Sequence, residues 1–153
     1  MTSSCPAAGV RAGPVELPRP GGVATVTATP AQHGPEGCEP VTGEVVGFVL
    51  SGADLPTACV SGDNASLDVV REVARRVGPV GAAVLFAGAA RTPFFDGALV
   101  TLDGALAAEA AVVLGARRVV AAHCDSRGHF TEGYDDLVAA FTAAGVLDRL
   151  QAR

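Results

Sequence analysis

Three side chains of metal-ligand type stand shortly beyond apolar stretches of the chain. His33 follows the alternating run at 23–29, Asp63 follows residues 57–60, and His123 directly follows 118–122. Strands of one sheet present their ends along one rim, so side chains distant in sequence can converge there. Two imidazoles and a carboxylate are borderline-hard ligands that suit zinc, manganese or iron. A carboxylate can also bridge two metals with one oxygen on each, which an imidazole cannot do. Taken singly, each residue reads more readily as structural. Asp63 would be a turn aspartate bonding its own backbone, His33 a loop histidine held by its neighbours, and His123 a histidine bonding the backbone on the approach to a helix. All of them at strand ends, in a chain with three histidines in total, point instead to a metal site. Arg91, in a long loop, is of the type that meets an anionic substrate group, although an exposed loop arginine is the ordinary reading. Asp125 or His129 could supply a further ligand or a hydrogen bond behind one; a solvated surface loop is the ordinary reading of both.

The elements that must position these residues are legible as a coarse pattern. Residues 57–60 form a short buried strand that Ser61 and Gly62 break, and Gly62 permits a sharp turn that residues with a Cβ resist. Ser66 then caps a helix. In that helix Leu67, Val70, Val73, Ala74 and Val77 fall at helical spacing, with Arg71, Glu72, Arg75 and Arg76 on the other faces. Gly78-Pro79 stops it. Upstream, residues 1–22 are rich in Pro, Gly and Ser and form an irregular lead-in, within which 15–17 could make a short edge strand. The run 23–29 is a strand, 34–43 a loop and 44–50 a second strand, so the first strands form an antiparallel meander. Downstream, 82–87 is a strand buried on both faces and 88–97 a long loop. Thr101 caps a helix reaching about Leu114, with Leu102, Leu106, Ala110 and Val113 apolar. After the strand at 118–122, a last helix starts at Thr131 or Glu132 and buries Leu137, Phe141 and Ala144, and 146–150 make a final turn. Strands first, then strand and helix in alternation, predict one α/β domain over 23–153, with a single mixed sheet and helices on one face.

Composition narrows the function classes. With 153 residues, 49% hydrophobic and 18% charged, the chain is one globular domain or a piece of one. A net charge of −5 without a basic cluster argues against nucleic acid as a partner. All eleven basic residues are arginine, a codon signature that points to a GC-rich bacterial genome. No apolar run is long enough to span a membrane, and the first residues lack the apolar core of a signal peptide. Cys5, Cys38, Cys59 and Cys124 show no CxxC spacing and are expected to be free thiols of a cytoplasmic protein.

Several segments together carry a family resemblance. Thr29-Pro30-Ala31-Gln32-His33-Gly34-Pro35, Thr42-Gly43-Glu44-Val45-Val46-Gly47-Phe48, Ser61-Gly62-Asp63 and Ala121-Ala122-His123 resemble the second half of a metallo-β-lactamase-fold hydrolase. The branch they resemble most is the L-ascorbate-6-phosphate lactonase type, which Ala87-Gly88-Ala89-Ala90-Arg91 and His129-Phe130-Thr131-Glu132 also fit. The resemblance runs from about residue 15 onward. It implies the second half of a four-layer αββα sandwich. It also implies that His33 ligates a first metal, that Asp63 bridges two metals and takes part in catalysis, and that His123 ligates the second. In such a site a hydroxide between two zinc ions attacks an ester, lactone, amide or phosphoester of a small-molecule substrate.

The sequence departs from that pattern in one respect. The family's His-x-His-x-Asp-His motif is missing, and no His-x-His occurs anywhere in the chain. The reading is therefore that the chain begins after the first half, with an incomplete site and one sheet face uncovered. Either a complementary N-terminal half or a homo-oligomer would be needed to complete it. The alternative is a non-catalytic fragment or partner-binding half domain, with a mononuclear metal protein as a weaker third reading. Three expectations follow: His33, Asp63 and His123 share one rim of a single sheet, the uncovered face is apolar, and the chain alone hydrolyses poorly.

Overall fold

A computed structural model describes residues 13–125 and 128–152. One six-stranded sheet runs through it in chain order: β1 (Val15–Arg19), β2 (Gly22–Pro30), β3 (Val46–Gly52), β4 (Ala58–Val60), β5 (Ala82–Phe86) and β6 (Arg118–Ala122). The pairs β1–β2, β2–β3 and β3–β4 are antiparallel, whereas β4–β5 and β5–β6 are parallel. The meander and the later alternation of strand and helix are thus both present in one mixed sheet. Because two antiparallel steps separate them, β2 and β4 point the same way. The carboxyl ends of β2, β4, β5 and β6 therefore lie on one rim.

Helices α2 (Leu67–Val77), α3 (Gly104–Val113) and α4 (Tyr134–Ala143) connect or follow the parallel strands. Ser66 caps α2 as its sequence position predicts, its hydroxyl accepting from Val69 N at 3.3 Å. The cap of α3 is Asp103, not Thr101, with Asp103 Oδ1 accepting from Leu106 N at 2.8 Å. Thr101 is buried and its hydroxyl accepts from Ala90 N instead. Leu102 consequently lies before α3, where it is wholly buried. Ala107, Ala108, Ala110 and Ala111 are buried around α3, so that helix has no single apolar stripe and its start is not readable from period.

The other differences concern boundaries. The expected strand at 44–50 runs over Val46–Gly52, because its ends are set by pairing with β2, from Pro30↔Val46 to Ala24↔Gly52. The loop at 34–43 contains a helical turn, α1 (Glu39–Thr42). The last helix starts at Tyr134, with Gly133 N donating to Asp136 Oδ2 at 2.9 Å. The lead-in expected over 1–22 holds β1, longer than the 15–17 suggested by pattern, and residues 1–12, including Cys5, lie outside the described residues.

The core lies between one sheet face and the helices. Val49, Cys59, Ala83, Leu85 and Val119 from the sheet pack with Val70, Val73, Ala107, Leu137 and Phe141. The alternate strand positions form the opposite face, where Val15, Leu17, Val46, Phe48, Leu50 and Val120 remain 37–55% exposed. The strand at 82–87, expected to be buried on both faces, is thus fully buried on the helix side only, as is the strand at 118–122. Among the described residues no helix is long and apolar enough to cross a membrane.

Cys38, Cys59 and Cys124 are buried, and none is joined to another in a disulfide. Burial pushes the Cys59 thiol up to about 11, above the roughly 8.5–9 of an exposed thiol. The folded chain therefore holds a proton that the unfolded chain releases as pH rises. Stability is unaffected below about pH 8 and falls by about 2–3 kcal/mol on going to pH 11. Urea midpoints measured across that range are expected to fall with pH in the wild-type chain and more shallowly in Cys59→Ala. Equal slopes would show that Cys59 ionises as easily folded as unfolded.

Candidate functional site

The rim formed by the carboxyl ends of β2, β4, β5 and β6 opens on a cleft of about 540 Å³, lined among others by His33, Asp63, Arg91, Thr101, His123 and His129. All three histidines of the chain thus line one cleft.

Asp63 is placed by the turn after β4. Gly62 has φ +63°, and a Cβ there would collide with the carbonyl oxygen of Val46. Glycine is therefore required both for the left-handed backbone and for the approach of β3. Ser61 ties the turn to β5, its hydroxyl accepting from Phe86 N at 3.0 Å and donating to Gly62 O at 2.8 Å.

Asn64 then joins Asp63's turn to the loop of His33. It is 2% exposed; its Oδ1 accepts from Gln32 N at 3.0 Å and Ser66 N at 3.3 Å, and its amide donates to Ser66 O. Ala65 N also donates to Gln32 O at 2.8 Å. Asn64 was not singled out from sequence. Its signal is a polar side chain directly after the candidate ligand, but such a residue becomes a brace only when a second loop lies within reach.

His33 is half-buried, with Nδ1 2.7 Å from Val100 O. A carbonyl can only accept, so Nδ1 carries the proton and Nε2 keeps its lone pair. His123 Nδ1 lies 3.2 Å from Asp63 Oδ1, and the same argument leaves its Nε2 as an available donor atom. Histidines that ligate metals commonly donate their other N–H in this way.

His123 itself has φ +51°, a left-handed conformation that costs a non-glycine residue on the order of 1–3 kcal/mol. Its ring sits 4.3 Å from that of Phe86 and 5.6 Å from that of Phe130. Gly88 makes this arrangement fit, because a Cβ there would overlap the carbonyl oxygen of His123. Thr131 N and Glu132 N both donate to Gly88 O, at 3.0 and 3.3 Å. Phe130 is thereby held against the histidine.

Individually the donors fit a metal. As a set they do not close a site. Zinc in a structural or catalytic centre takes four ligands, whereas among the described residues no group of three or more His, Cys, Asp or Glu is close enough together to hold an ion. Asp63 and His123 form a pair, and His33 faces the same cleft without joining it. Asp125, one of the two residues that could have supplied a further ligand, has its Oδ1 accepting from Tyr134 N at 3.1 Å, at the start of α4. Its ordinary reading was a solvated surface loop; the residue is exposed, and this bond ties it to the start of α4. His129 does reach the cleft, where it packs edge-on against Phe130 at 4.6 Å.

Solved structures with the same fold exist. An isothiocyanate hydrolase from Delia radicum gut bacteria is 21% identical with a TM-score of 0.74, covering 84% of this chain and 50% of its own. A possible metal-dependent hydrolase from Veillonella parvula is 19% identical with a TM-score of 0.76, covering 90% and 53%. A metallo hydrolase from the hyperthermophilic archaeon Ignicoccus hospitalis is 20% identical with a TM-score of 0.66, covering 93% and 55%. The chain thus spans about half the length of these structures. No protein of curated function matches it in sequence. The model of the beta-lactamase superfamily domain matches residues 7–124, a segment that contains His33, Asp63 and His123, and the chain belongs to that family.

Proposed function

We propose that this chain carries one side of the active site of a metal-dependent hydrolase that cleaves an ester, lactone, amide or phosphoester bond in a small molecule. The observation that carries the reading is that His33 and His123 face one cleft with Asp63, each with Nδ1 engaged and Nε2 free. When bound, a metal ion would acidify a water molecule and stabilise charge on the attacked group. The residues that would hold it are His33, Asp63 and His123, with zinc first among zinc, manganese and iron. Asp63, which can accept from His123 with one oxygen and ligate with the second, also sets the imidazole's orientation. Within the family we place the chain nearest the L-ascorbate-6-phosphate lactonase type, on the motifs around His33, Asp63 and His123.

A second reading is favoured by a different observation. The incomplete ligand set and the exposed apolar face support a half domain whose role is to bind a partner, either a complementary half or another copy. Buried cysteines that form no disulfide with one another among the described residues support a reducing compartment such as a cytoplasm.

Manganese titration of the chain with isotopically labelled histidine separates the two readings. The ring signals of His33 and His123 are expected to broaden, and Asp63→Asn is expected to require at least about tenfold more manganese. Broadening that is absent, or unchanged by Asp63→Asn, would remove the metal-site reading and leave the partner-binding one.

A further inference from the structure

We infer that Arg91 is a specificity-determining contact for an oxyanion, a phosphate or carboxylate, on the molecule that occupies the cleft. This rests on the hydrolase reading above and names its substrate class.

Most of the arginines with assigned contacts are already committed elsewhere. Arg71 is paired with Asp68 and Glu109, and Arg76 with Glu72. Arg19 and Arg149 donate to main-chain carbonyls far from the cleft. Arg91 lines the cleft, and among the described residues no carboxylate lies within ion-pair distance of it. One guanidinium nitrogen donates to Gly97 O at 2.7 Å. A guanidinium has five N–H donors in a planar fork, so this bond steadies the group and leaves donors for a two-pronged contact with an oxyanion.

The loop that carries Arg91 is braced on both sides. Ala89 N donates to Leu102 O at 2.9 Å, Val100 N to Ala90 O at 2.8 Å, and Ala90 N to the Thr101 hydroxyl at 3.0 Å. Arg91 also bridges to Leu99 in a short antiparallel pairing. Little further ordering is needed on binding, which favours affinity.

Arg91 is the one permanently cationic group of the cleft's polar lining among the described residues. That lining also holds three histidines, while its one carboxylate, Asp63, is engaged with His123. In a chain of net charge −5, Arg91 gives this cleft a cation with no carboxylate in ion-pair contact among the described residues, which favours an anion at that point. A neutral substrate would leave the guanidinium with nothing to recognise.

Inorganic phosphate, acetate and neutral trimethyl phosphate can each be titrated into the full chain with labelled histidine, at fixed pH and without metal. Every histidine lies in the cleft, so the ring signals report on that cleft alone. Phosphate or acetate is expected to shift the His129 signal saturably, whereas trimethyl phosphate leaves it unchanged. Arg91→Gln is expected to weaken the anion's binding by roughly tenfold, while Arg75→Gln, a change on the exposed side of α2, leaves it as in the wild type. Which anion binds more tightly distinguishes phosphate from carboxylate. No shift in the wild type, equal binding in Arg91→Gln, or an equal response to the neutral ester would overturn the assignment. Because the measurement uses neither metal nor turnover, its failure is distinct from that of the manganese titration, which tests the hydrolase reading.

Discussion

Dialysed free of loosely held metal, the 153-residue chain is expected to retain less than one zinc ion per molecule and to hydrolyse generic esters and phosphodiesters no faster than buffer. The reason is coordination number. Zinc takes four ligands, with at least three from protein in the usual catalytic centres. Here Asp63 and His123 form a pair 3.2 Å apart, His33 lines the same cleft, and no third donor joins the pair among the described residues. Enzymes of this kind owe accelerations of about 10⁶ or more to a complete site, so the difference between a working and a non-working cleft is large. Metal analysis after dialysis, alongside the two assays, decides the matter. Two tightly held zinc ions with a clear turnover rate would show that the chain completes its own site.

Self-association is the second large effect expected. Val15, Leu17, Val46, Phe48, Leu50 and Val120 lie on one sheet face at 37–55% exposure. Completing the burial of each contributes about 1 kcal/mol, since full burial of such a side chain is worth about 1.5–3. Two such faces brought together at the usual sheet spacing of about 10 Å gain on the order of 10 kcal/mol, which is comparable with the cost of association, about 4–15 kcal/mol. The balance is close enough that a few side chains decide it. Sedimentation is expected to show species larger than the 15.2 kDa monomer, with strong binding of a hydrophobic dye. The double substitution Phe48→Lys and Leu50→Lys should shift the chain toward monomer, because it places a charge at the centre of each face. A compact wild-type monomer that unfolds cooperatively and binds no dye would mean that the chain covers this face itself.

The elements set by local chemistry were legible in the residues. Helix α2 spans Leu67–Val77 as its spacing implies, because Ser66, the apolar positions and Gly78 all act within a few residues of one another. Strand β6 likewise matches its apolar run, Arg118–Ala122. Where packing from several sides replaced a local signal, the reading drifted. Alanine-rich α3 starts at Gly104 under an Asp103 cap, and β3 is displaced by two residues because its partner β2, not its own composition, sets its ends.

For the site, the sequence by itself determined which side chains were candidates: His33, Asp63 and His123 after strands, with Arg91 and His129 as outliers of suitable chemistry. It also determined that any His-x-His pair must come from elsewhere, since none exists in the chain. Only the tertiary structure decided that these residues share one cleft, because convergence depends on β2, β4, β5 and β6 ending on the same rim, and strand direction is a property of the sheet. The same holds for the roles of Asn64 and Gly88, which brace and admit the loops of His33, Asp63 and His123, and for Asp125, which bonds the start of α4. Hydrogen bonds between segments far apart in the chain and close backbone approach exist only once the segments are brought together. No local pattern of residues encodes them.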